Sequence, residues 1–185
     1  MRSRTSVIDS NVLFSIELSD LFVTFAKRRL IQLKWSRVIF DEVRRSLSSS
    51  AQLSPAAIEY RISEMQRALR DAMHAPAANE TQYVRVPPSD RHVLALAIAS
   101  GADSIITLNT RDFPLDYCSS FGVSVLSPDA ALSEMLIEDP LGVKLALREI
   151  SLRRRAPSLS VLELLDRWAQ SLPTFVELAH EVIED

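Results

Sequence analysis

Residues 89–114 read Ser89-Asp-Arg-His-Val-Leu-Ala-Leu-Ala-Ile-Ala-Ser-Gly-Ala-Asp-Ser-Ile-Ile-Thr-Leu-Asn-Thr-Arg-Asp-Phe-Pro114, and this stretch decides the fold. Small and branched apolar residues fill Val93 to Ala99, which reads as a buried helix capped by Ser89. Gly101 stands where a glycine in the left-handed region ends a helix. Ser104 to Leu108 then reads as a strand, with polar Thr107, Asn109 and Asp112 crowding its end. A helix feeding directly into a short apolar strand is half of a parallel α/β unit.

The same alternation extends outward in both directions. Upstream, Thr5 to Asp9 reads as a strand and Leu13 to Arg29 as a helix, with Leu18, Leu21, Phe22 and Phe25 at helical spacing. Lys34 to Ile39 reads as a second strand, followed by a helix capped by Asp41 and running to Leu47. The Ser48-Ser-Ser50 run is a break, and Pro55 opens a helix to about Met73. Gln82 to Val86 reads as a third strand closed by Pro87-Pro88. Downstream, Val123 to Leu126 is the last strand, and helices are expected over 129–137, 141–152, 158–170 and 173–184. Strands alternating with helices predict an α/β fold: a central parallel sheet flanked by helices, with an all-helical C-terminal part.

Composition sets limits on function. Over 185 residues, 47% hydrophobic and 24% charged residues are those of an ordinary globular protein. The net charge of −3 argues against coating nucleic acid through excess Lys and Arg, but not against a carboxylate metal site that bound cations neutralise. The chain opens with basic residues, yet Asp9 interrupts the apolar run that a signal peptide needs, and Cys118 alone cannot build a disulfide framework. No apolar run is long enough to span a bilayer. The expected location is the cytoplasm.

Four segments place polar residues where a strand ends or a helix begins: Ile8-Asp9-Ser10-Asn11, Phe40-Asp41-Glu42, Ser89-Asp90-Arg91 and Thr107 to Phe113. In an open α/β sheet, ligands bind beyond the carboxyl ends of the strands. Convergence there would gather Asp9, Glu42, Asp90 and Asp112, with Asn109 beside them. Carboxylates sharing a cleft repel one another unless a cation intervenes. Oxygen-only donors suit Mg²⁺ or Mn²⁺, and without Cys or His at ligand spacing zinc is disfavoured. Such a site can activate water against a phosphodiester.

Asp9-Ser-Asn-Val-Leu13 resembles the opening motif of PIN domains, and residues 89–114, with their Thr-x-Asn-x-x-Asp-Phe ending, resemble the family's second half. The similarity covers about residues 5–130 and is greatest to VapC-like toxin ribonucleases of type II toxin–antitoxin systems. It implies a PIN-like nuclease domain over 1–138 and a helical C-terminal extension over 139–185. Asp9, Glu42, Asp90 and Asp112 would be the catalytic and metal-binding acids, with Asn109 as the other candidate for the fourth position. Asn11 and Thr107 would be polar support. The activity implied is Mg²⁺- or Mn²⁺-dependent hydrolysis of single-stranded RNA regions leaving a 5′-phosphate. A homodimer and a cognate antitoxin that occupies the cleft are the implied partners.

Each of these residues also has a structural reading. Asp9 can end a strand, Glu42 and Asp90 can favour a helix dipole from its first turn, and Asp112 can serve a turn. His92 reads as a packing or surface residue, Arg153-Arg-Arg155 as a solvated helix end, and Trp35 and Trp168 as packing. Arg44, Arg45, Arg91 and Arg111 neighbour the acids and are the candidates for gripping phosphates. A phosphoaspartate phosphatase needs a second Asp where Asn11 stands. A receiver domain needs a Lys that 123–128 lacks. An inactive PIN-fold interaction module is the remaining alternative.

Overall fold

The computed structural model describes residues 3–50, 53–75, 80–154 and 158–184. Four strands, β1 (Thr5–Ile8), β2 (Gln32–Lys34), β3 (Ser104–Ile106) and β4 (Ser124–Leu126), form one parallel sheet in the order β2-β1-β3-β4. The central strands β1 and β3 are buried along their whole length, which is why they read as continuous apolar runs. Val7 is paired with Ile105, and Ile106 with Leu126. The chain leaves β1 toward β2 on one side and returns to β3 on the other. The gap beyond the ends of β1 and β3 is therefore the topological switch point where α/β sheets bind ligands.

Ten α-helices occur among the described residues: α1 (Ser10–Phe14), α2 (Ile16–Lys27), α3 (Arg37–Ser49), α4 (Pro55–Ala68), α5 (Arg91–Ser100), α6 (Leu115–Ser119), α7 (Pro128–Glu138), α8 (Pro140–Arg153), α9 (Val161–Trp168) and α10 (Pro173–Glu184). Serine hydroxyls cap many of them. Ser15, Ser36, Ser54, Ser127 and Ser160 each accept a backbone N–H of the first turn. Gly101 follows α5 with φ 61° and ψ 35°, the left-handed conformation expected there.

Several sequence expectations are corrected. The helix over 13–29 is two helices, because extended Ser15 ends α1 and caps α2. The second strand lies at 32–34 rather than 34–39: Ser36 starts α3, so Val38 and Ile39 are helical. Asp41 is therefore inside α3, paired with Arg44 at 2.6 Å, and not its cap. Residues 82–86 form no strand. A 3₁₀ turn at Glu80–Gln82 leads into a segment that buries Tyr83 and Val86 and exposes Val84, a spacing of three rather than the strand period of two. Ser89 donates to Asp90 Oδ2, and Asp90 occupies the N-cap of α5.

The C-terminal helices join the same core. Phe25 of α2 meets Phe175 of α10 edge to face with centroids 6.4 Å apart, and Leu164, Leu165 and Trp168 of α9 are buried. The Asp129 carboxylate accepts the Thr174 and Phe175 amides, closing the start of α10 against α7. Arg153 donates to Asp20 and Thr24 on α2, and Arg154 pairs with Asp20. That end of α8 is thus bound to α2 rather than simply solvated; Arg155 lies outside the described residues. Trp35, Trp168 and Cys118 are buried, as packing residues should be.

Candidate active site

Asp9 follows β1 directly and its amide donates to Ile106 O at 3.0 Å, so the sheet register fixes its backbone. Its side chain is buried and densely held. Oδ2 accepts the Thr107 hydroxyl at 2.7 Å and the Asn11 amide at 2.8 Å; Oδ1 accepts the Ser10 amide at 2.7 Å. Asn11 also donates to Thr107 Oγ1 and accepts from Leu108 N, both at 3.0 Å, and Asn109 N donates to Thr107 Oγ1 at 3.0 Å. Asn11 and Thr107 therefore lock the loops after β1 and β3 around one carboxylate. With its amide committed to Asp9 and Thr107, Asn11 stands where a phosphoaspartate enzyme would need an acid.

Asp90, Glu42 and Asp112 come from three other segments, and their charges reach Asp9 or one another. Burial raises Asp90 above the ordinary carboxyl range, the Ser89 hydroxyl lowers it, and the charges of Asp9, Asp112 and Glu42 raise it further. Burial likewise raises Asp9, against the pull of Thr107 and Ser10, and Glu42 adds to the rise. Four segments distant in sequence thus bring four carboxylates within electrostatic reach, with Asp90 sensing the other three. Asp112 ends the 3₁₀ turn Thr110–Asp112 and is half-buried; Asn109 is exposed, and only its backbone joins the network.

Glu42 behaves differently. Burial alone would raise it, but His92 Nε2 lies 2.9 Å from its Oε1, and that hydrogen bond and charge, with Ser10 and Arg45, hold Glu42 below the usual range. His92 shifts upward: burial opposes its charge, and the Glu42 hydrogen bond together with the charges of Glu42, Glu80 and Asp9 outweighs burial. His92 is itself buried, so it is neither a surface residue nor simple packing. Its partner lies 50 positions away, and nothing local in the sequence announces the pairing. Ser10, the other group missed, carried one signal: it follows Asp9.

Of the four arginines, Arg44 is held by Glu59 and Asp41, and Arg91 Nε donates to Val86 O at 3.0 Å. Arg45 and Arg111 are exposed and make no ion pair among the described residues. Arg85 grips Asp116 with two bonds of 2.8 and 3.0 Å and lies over Tyr117, tying the segment before Asp90 to α6 after Asp112.

The donor chemistry fits a hard divalent cation. The candidate ligands are carboxylate oxygens; burial first, and neighbouring acids second, raise Asp9 and Asp90, and a bound cation would offset both penalties on their charged forms. Among the described residues, no group of three or more His, Cys, Asp or Glu side chains is arranged to hold one ion as it stands.

A four-stranded parallel sheet flanked by helices, with an acid after its first strand and a Thr–Asn lock at its switch point, places the chain among α/β folds that bind ligands at the ends of their strands. The chain belongs to the PIN domain family, whose model matches residues 5–111, more than half of its length. PIN domains are in general nucleases that use divalent metals. No curated protein and no solved structure matches the chain. Among the described residues, no helix is long and apolar enough to cross a membrane.

Proposed function

We propose that the chain is a Mg²⁺- or Mn²⁺-dependent endoribonuclease that hydrolyses single-stranded RNA regions, with Asp9, Glu42, Asp90 and Asp112 as its acids. The observation that carries this reading is the rigidly held Asp9 carboxylate at the switch point of the sheet, bonded by Thr107, Asn11 and Ser10. A bound divalent cation would supply Lewis acidity at the phosphate and a more acidic water. The residues then have separate tasks. Asp9, fixed by Thr107, Asn11 and Ser10, keeps one oxygen geometry through the reaction. Glu42, Asp90 and Asp112 face it from three other segments. A water oxygen forms a bond to phosphorus as the P–O3′ bond breaks; the water's proton passes to a carboxylate of the cluster and the departing O3′ takes a proton from solvent, giving a 5′-phosphate and a 3′-hydroxyl. Asp112 takes the fourth place over Asn109 because it is half-buried and ionisable, whereas Asn109 is exposed and joins the network only through its backbone. Arg45 and Arg111 contact RNA phosphates; Arg44 and Arg91 reach them only by leaving their present partners.

The finer assignment is a toxin of a type II toxin–antitoxin pair, of the VapC-like kind, cytoplasmic and homodimeric, with residues 1–138 as the nuclease unit and 139–185 as an extension. A protein partner is supported by the outer face of α8, where exposed Leu141, Leu145 and Leu152 share one stripe with Arg148. A second reading, an inactive PIN-fold interaction module, is favoured by the separation of the acids and by that same stripe.

Cleavage of a labelled single-stranded RNA panel by the purified chain, with Mg²⁺, Mn²⁺ or EDTA, tests the choice. Metal-dependent cutting that Asp9→Asn and Asp90→Asn both lose supports the nuclease. Cutting that survives EDTA or both substitutions refutes the mechanism, and metal binding without cutting of any RNA favours the interaction module.

A further inference from the structure

His92 sits in the first turn of α5, two residues after the Asp90 cap, and is buried. Nε2 is 2.9 Å from Glu42 Oε1, joining α5 to α3 across 50 positions of sequence. An ionised carboxylate is acceptor-only, so Nε2 carries the hydrogen and donates. Nδ1 is buried with no hydrogen-bond partner among the described residues. Buried imidazoles ordinarily satisfy both nitrogens. Here one is left unsatisfied while the other is spent on an acid of the cluster, so the orientation of the ring is set by Glu42. The short run Asp90-Arg-His92 therefore does three things: Asp90 joins the cluster, Arg91 fixes the preceding loop at Val86 O, and His92 holds Glu42.

We propose that His92 is a positioning residue of the acid cluster. By holding Oε1 it fixes, with Ser10, the direction of the Glu42 carboxylate for a divalent cation or its water. This rests on the nuclease reading, since it assigns Glu42 to that site. Glu42 otherwise has three rotatable side-chain bonds whose freedom must be lost each time a cation binds. Groups that orient metal ligands from behind have a recognisable scale: their removal weakens metal binding or activity about 10- to 100-fold.

The test is Mn²⁺ titration of the full chain by calorimetry, with circular-dichroism melts confirming that each variant is folded. His92→Leu is expected to weaken Mn²⁺ binding about 10- to 100-fold. His92→Gln, whose amide can donate to the same oxygen, recovers most of that loss. Adding His92→Leu to Glu42→Gln produces no further loss, because His92 acts through Glu42. A merely structural histidine would show neither the amide rescue nor this dependence. If His92→Leu does not fold, His92→Asn, polar but too short to reach Glu42, carries the same expectation. Unchanged Mn²⁺ affinity in a folded His92→Leu or His92→Asn chain, or a loss that adds fully to that of Glu42→Gln, overturns the proposal and leaves the nuclease reading standing. A wild-type chain that binds no Mn²⁺ overturns both.

Discussion

Thr107→Val removes one hydroxyl and keeps the side chain's shape, so it isolates the lock on Asp9. Thr107 is fully buried, and Oγ1 donates to Asp9 Oδ2 at 2.7 Å while accepting from Asn11 and Asn109 at 3.0 Å each. A hydrogen bond to a charged group contributes about 1.5–3 kcal/mol, and a neutral one about 0.5–1.5. Water can replace the bond to the Asn109 amide on its exposed loop, and Asn11 keeps its contacts with Asp9 and Leu108. The expected loss is therefore roughly 2–4 kcal/mol, with little cavity contribution because valine fills the same volume. For a chain of this size that lowers Tm by about 4–16 °C. Urea unfolding should show a lower midpoint at unchanged slope. The substitution also removes a group that lowers the Asp9 pKa, so the carboxyl should rise further, and the stability difference should shrink once acidification protonates Asp9. A loss below about 0.5 kcal/mol, or one independent of pH, would refute the reasoning that Thr107 stabilises a charged Asp9.

Two further outcomes follow from single residues. Gly101→Ala meets nothing within 4 Å of the added Cβ, so its only penalty is the left-handed backbone; a loss of about 1–2 kcal/mol in urea melts is expected, and no loss would mean that the α5 terminus relaxes. In metal-free buffer the His92 contribution depends on pH with a definite sign. Its folded pKa lies above the ordinary 6.5, so the stability it adds is complete below about pH 6.5 and is lost as pH rises through the folded value. The wild-type advantage over His92→Gln should therefore decline on going from slightly acid to alkaline solution, and an advantage that grows with pH would contradict the pairing with Glu42.

The parallel sheet and the PIN-type motifs were legible because the residues that make them are local: Val7-Ile8, the 89–114 run, and Gly101 at a position that favours glycine. The lock on Asp9 was legible in kind, since Asn11 and Thr107 are polar residues at strand ends. What failed depends on partners. Val38-Ile39 looks like strand until Ser36 caps α3, and an apolar run of that length has no period of its own. Tyr83 to Val86 has strand residues but no neighbouring strand, and its buried positions follow a turn. Asp41 had the chemistry of a cap, yet with Ser36 five residues upstream as the cap, its carboxylate turns to Arg44. His92 was invisible because its role is defined by Glu42, on another helix.

In the function proposed above, acids from four segments make one cation site. It is tested most directly by Mn²⁺ binding to the wild-type chain and to the Asp9→Asn/Asp90→Asn double variant, each verified as folded. Saturable binding by the wild type that the double variant loses is expected. Equal binding by both, or none by the folded wild type, would contradict it.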